Sequence, residues 1–227
     1  MHDKSNVVIL CYNPWSCGKF LSNILSYNKN FVPQFPFAID EKPHGTTDID
    51  YNQLSFDQLL AAKHDTVMRS IPPACHINNW RDYELGCTQF WGASAGSISK
   101  DLLIDKAKWI LDQNVYAFIM CHEPGHLINA QKLFPRAKTI RIVNDLVINI
   151  LSKKLKLGVK KPGYQNNFSK HTFENCVNFD IQSMFNQDRF FLNIHRLLTD
   201  LGVEDTCLDP KVYEYYTKYC ELYKNIL

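Results

Sequence analysis

The chain has 227 residues, 45% of them hydrophobic and 21% charged, with a formal net charge of +2. That is enough apolar material for one sizeable core in a soluble chain, and the near-balanced charge gives no global sign of nucleic-acid binding. No window approaches the roughly 18 uninterrupted apolar residues that a membrane span requires.

Met1-His2-Asp3-Lys4-Ser5 runs straight into apolar residues. It has no basic start, long apolar stretch or small-residue cleavage site of a secretory signal, so the expected location is cytoplasmic. Eight cysteines (11, 17, 75, 87, 121, 176, 207 and 220) form no C-x-x-C pair. In this setting they read as free, mostly buried thiols rather than a disulfide scaffold or a structural zinc site.

Asn6 to Cys11 is a short apolar run, β-branched at its centre, as a fully buried parallel strand requires. A turn follows over Asn13 to Gly18, then a helical pattern that puts Phe20, Leu21, Ile24 and Leu25 on one face. Strand, glycine-bearing turn and helix form the first unit of a doubly wound α/β fold. Residues 31–53, rich in Pro, Asp and Thr, read as a loop insertion. Ser55 to Lys63 reads as a short helix, His64 to Ile71 as a strand ended by Pro72-Pro73, and 74–99 as a long aperiodic insertion of the kind that forms a lid or binding loop.

Asp101 to Asn114 has helical spacing, and Val115 to Cys121 is the next buried strand. A helix over Leu127 to Phe134, a strand over Lys138 to Val143 and a helix over Asp145 to Lys156 follow, with 160–180 loop-like. Arg189 to Leu201 is an amphipathic helix closed by Gly202, and Pro210 to Leu227 a Tyr-rich terminal helix. There is no internal repeat and no clear boundary, so the expectation is a single α/β domain over 1–227, a three-layer P-loop-type structure with a mainly parallel sheet between helices.

The first turn carries the chemistry. A helix N-terminus after a buried strand offers converging N–H groups and a favourable dipole to a phosphate. Gly18 allows close approach and Lys19 adds a positive charge. The pattern G-x-x-x-x-G-K-[ST] is half met: Asn13 stands for the first glycine and Phe20 for the hydroxyl residue. Phe20 cannot hold Mg²⁺ on a β,γ-bridged triphosphate, so chemistry at this turn has to proceed without that ligand. A basic run, Lys153-Lys154-Leu155-Lys156 with Lys160-Lys161, reads as a solvated helix end or as a positive rim beside the phosphate site.

The segment Asn13-Pro14-Trp15-Ser16-Cys17-Gly18-Lys19-Phe20-Leu21 resembles the 5′-phosphosulfate loop of sulfotransferases, P-K-S-G-T-T-W-L. Pro14, Ser16 and Leu21 agree and Phe20 keeps the aromatic. Trp15 replaces the family lysine, Cys17 the glycine, and Gly18-Lys19 the two threonines. Cys121-His122-Glu123-Pro124 is similar to the family's T-H-x-P, whose histidine is the catalytic base, although the lysine two residues before it is Met120 here. Leu133 to Asn144 resembles the stretch leading into R-N-P-x-D-x-x-x-S, with Ser152 kept, Asn144 for the arginine, and Arg141 three residues upstream. Phe190 to Val203 resembles the family's late helix.

The resemblance implies a transferase using 3′-phosphoadenosine 5′-phosphosulfate as co-substrate, with no metal, and an acceptor hydroxyl on a carbohydrate or small alcohol. It implies Pro14, Trp15, Ser16, Cys17, Gly18, Lys19, Phe20, Arg141, Asn144 and Ser152 as nucleotide-binding residues, with His122 as base and Lys19 steadying the leaving phosphate. His76, Trp80, Trp91 and His126 are the expected acceptor contacts. Neither nucleic acid nor a membrane is an expected partner. His122 and His126 stand four apart, as metal ligands on a helix can, but Pro124 between them breaks H-E-x-x-H. Two other functions remain open at this point: a kinase-like P-loop enzyme, and a non-catalytic nucleotide-binding protein of the same fold.

Overall fold

The computed structural model describes residues 7–12, 17–31, 57–58, 60–61, 64, 68, 116–121, 124–143, 173 and 175–224. Among them lie four strands, β1 (Val7–Cys11), β2 (Ala117–Cys121), β3 (Lys138–Val143) and β4 (Cys176–Asp180). The helices are α1 (Gly18–Leu25), α2 (Pro124–Leu133), α3 (Gln187–Asp200) and α4 (Lys211–Lys224), with a 3₁₀ turn at Ile181–Phe185. The strands form one sheet in the order β2-β1-β3-β4, and every pairing is parallel. This is an α/β architecture.

β1 is central and its five residues are all buried, as a parallel strand covered on both sides requires. Alternation sends its side chains to opposite faces. Val8, Leu10 and Tyr12 join Phe118, Ile140, Ile142 and Phe179 in one cluster with residues of α1, α3 and α4. On the other face α2 packs against β1 and β2, and Gln131 Nε2 donates to Thr139 Oγ1 at 3.3 Å. Cys11 and Cys121 share this second face, being Cα partners in the β1–β2 register.

α1 carries the predicted apolar face, but its polar side is covered as well. Ser22, Asn23 and Ser26 are buried; Ser26 Oγ bonds back to Ser22 O at 2.8 Å, and Asn23 Nδ2 donates to Tyr215 Oη at 3.2 Å. Phe20, 1% exposed, stacks on Tyr219 with ring centroids 4.2 Å apart and on Phe190 at 5.5 Å. α3 is capped by the Asn186 side chain, which accepts from Arg189 N at 2.9 Å. It ends as the sequence predicts: Gly202 takes φ 79°, and Gly202 and Val203 N–H return to Thr199 and Leu198 carbonyls.

Three sequence expectations are corrected. His64 and Met68, placed on a strand over 64–71, are helical. Four residues apart, they face the same way: His64 Nδ1 hydrogen-bonds Tyr27 Oη at 2.7 Å and its Nε2 lies 3.2 Å from Glu214 Oε2, while Met68 O accepts from Lys218 Nζ at 2.6 Å. Residues 176–180, inside the stretch read as loop, form β4. Pro124 does not interrupt α2 but opens it, in the first-turn position where its missing N–H costs nothing. The predicted helices over 101–114 and 145–156 and the insertion at 74–99 fall outside the described residues. No described helix is long and apolar enough to cross a membrane.

The thiols of the second face make an alkaline prediction. Burial raises the Cys11 thiol pKa, with the neighbouring Cys176 and Cys121 thiols adding to the rise, and burial pushes Cys121 up to about 12. An unfolded thiol ionises near about 8.5, so above that pH the unfolded chain releases protons that the folded one keeps. Their stabilising effect is therefore whole below about pH 8.5 and is lost as pH climbs towards the folded values, at up to about 1.4 kcal/mol per pH unit for each thiol. Urea denaturation at about pH 7.5 and about pH 10 is expected to show this fall, and a Cys11→Ala/Cys121→Ala variant a shallower one.

Candidate functional site

β1 runs out at Cys11, and Tyr12 continues it by one more ladder bond, its N–H donating to Cys121 O at 3.1 Å. The chain enters α1 through Cys17, whose φ of 57° and ψ of 27° are left-handed. An L-residue with a Cβ adopts this region at a cost that glycine avoids. Cys17 is thus a cysteine in a glycine-type conformation, at the position where the resembled loop has glycine.

Gly18 has a different reason to be small. A Cβ built on it would collide with the ring of Tyr12, so the aromatic ring at the end of β1 occupies the space that a side chain at residue 18 would need. The glycine brings the first turn of α1 against the strand it follows. Leu21 N–H makes the first intrahelical bond, to Cys17 O at 3.0 Å. The amides of residues 18–20 precede it and belong to the set that a helix leaves unsatisfied. Cys17 supplies no side-chain cap and no acid stands in the first turn, so neither competes with an anion for those donors.

This helix start lies at a particular place in the sheet. Among the described strands, β2 follows β1 in sequence and lies on one side of it, while β4 follows β3 and lies on the other side of β3. The carboxyl ends of β1 and β3 therefore flank a topological switch point, where open α/β sheets form a crevice. Arg141 on β3 is the Cα partner of Cys11, and its Nε donates to Asn178 Oδ1 on β4 at 2.8 Å. The Arg141 charge partly counters the burial that raises the Cys11 and Cys176 thiols.

Of the expected site residues, the structure brings Cys17, Gly18, Lys19 and Phe20 together at the start of α1 and sets Arg141 on the neighbouring β3. Lys19 is the second residue of α1 and His126 the third of α2; the side chains of both lie outside the description. Phe20 turns its ring into the aromatic core, so what it offers a ligand is its amide. His122 directly follows β2 and Asn144 directly follows β3, but both lie outside the described residues, as do Pro14, Trp15, Ser16, His76, Trp80, Trp91 and Ser152. No group of three or more His, Cys, Asp or Glu side chains that could hold a metal occurs among the described residues. Asn178 is the residue that sequence reasoning missed; only the alternation Val177, Asn178, Phe179 hinted at the strand that carries it.

Compared with known proteins, the chain matches no family model, no curated protein and no solved structure.

The contact between Tyr12 and residue 18 yields a direct test. Gly18→Ala is expected to lower stability by about 1–3 kcal/mol through overpacking. In a Tyr12→Ala background the same substitution is expected to cost much less, because the ring it strikes is gone. Urea denaturation of the four proteins measures the coupling; equal costs in both backgrounds would contradict the packing described.

Proposed function

We propose that this chain is a divergent sulfotransferase, and that its parallel sheet with helices against both faces is the three-layer P-loop-type domain expected over 1–227. The observation that carries the reading is the start of α1, where the amides of residues 18–20 meet no cap from Cys17 and no acid in the first turn, beside a central strand at a switch point. Such a start favours a multiply charged oxyanion through its N–H groups and dipole. The left-handed Cys17 supports the likeness to the phosphosulfate loop, since its backbone lies in a region that glycine, the family's residue at this position, can adopt without cost.

A second observation favours sulfuryl over nucleoside-triphosphate chemistry. Phe20 occupies the position of the Mg²⁺-binding hydroxyl, and its ring is packed between Tyr219 and Phe190. No small rearrangement turns that residue into a metal ligand, so the site needs a donor whose transfer does not depend on metal bridging of two phosphates.

In the proposed reaction the acceptor oxygen attacks the sulfur of 3′-phosphoadenosine 5′-phosphosulfate as the bond from sulfur to the 5′-phosphate oxygen breaks. The amides of the turn and the Lys19 ammonium take up the negative charge that accumulates on the departing phosphate. His122, directly after β2, receives the acceptor's proton, a task for a group that titrates near neutrality. Arg141, with Asn144 and Ser152, serves the 3′-phosphate. The acceptor is a carbohydrate or small alcohol, met by His76, Trp80, Trp91 and His126.

Thermal denaturation with added nucleotide tests this reading, because a ligand that binds the folded state alone raises the Tm. 3′-Phosphoadenosine 5′-phosphate is expected to raise it without Mg²⁺, and ATP to do so weakly with or without the metal. Lys19→Ala is expected to abolish the shift. His122→Ala is expected to keep it while lowering turnover by about a hundredfold or more. A large Mg²⁺-dependent shift with ATP alone would overturn the assignment in favour of a kinase, and a nucleotide shift without transfer to any hydroxyl acceptor would leave a binding protein.

A further inference from the structure

We draw no further inference here: the strongest candidate, the Cys11 and Cys121 thiol pair on one face of the β1–β2 ladder, is wholly buried and held protonated by that burial, so it belongs to the packing already described and offers no reactive thiolate for disulfide exchange or metal binding.

Discussion

The ring of Tyr12 and the backbone of Gly18 compete for one volume, and the ring holds it. β1 therefore ends against the first turn of the helix that follows, and the left-handed Cys17 leads the chain into α1. A side chain at 18 would push the helix off the strand or drive the ring out of its cluster. In the first case the amides of 18–20 would leave the sheet edge. Ser22, Asn23 and Ser26 are buried as well, with Ser26 Oγ bonding back to Ser22 O and Asn23 Nδ2 reaching Tyr215 Oη.

From that helix the core spreads outward through aromatic rings. Phe20 reaches Phe190 of α3 and Tyr215, Tyr216 and Tyr219 of α4. Tyr216 Oη then donates to Met184 O at 2.7 Å, tying α4 to the 3₁₀ turn after β4. Asn28, just beyond α1, donates to the carbonyls of Asp205 at 2.7 Å and Cys207 at 2.9 Å, and so holds the segment between α3 and α4. α3 and α4 thus cover the core that the first helix opens. A position read as part of a phosphate motif, Phe20, is thereby also a keystone of packing, which explains why an aromatic and not a hydroxyl residue stands there.

Much of this was legible in the residues. The continuous apolar runs of β1 and β2 and the 3.6-residue spacing of α1 and α3 have one dominant reading, and Gly202 closes α3 where its position says it should. The errors fall where local pattern and tertiary packing part. Thr66-Val67 within 64–71 looks strand-like, yet His64 and Met68 are helical, and His64 is held between Tyr27 and Glu214, contacts across long stretches of sequence that no local pattern contains. β4 is short and lies at the end of the described sheet, and only Phe179 of its five residues is fully buried, so it carries half the signal of a central strand. The proposed site was legible as a glycine and a lysine opening a helix after a buried strand, because that pattern is local in sequence. The Asn178 contact was not, since cross-strand partners depend on register.

The central claim is that the opening of α1 is an anion seat at the carboxyl edge of the sheet. Backbone amide NMR of the uniformly ¹⁵N-labelled chain, titrated with 3′-phosphoadenosine 5′-phosphate, examines those donors one by one. The account predicts that the Gly18, Lys19 and Phe20 amides move downfield together and saturate with a single affinity, as groups that form hydrogen bonds to a phosphate do. Saturable shifts confined to other parts of the chain, with these three amides unmoved, would contradict it.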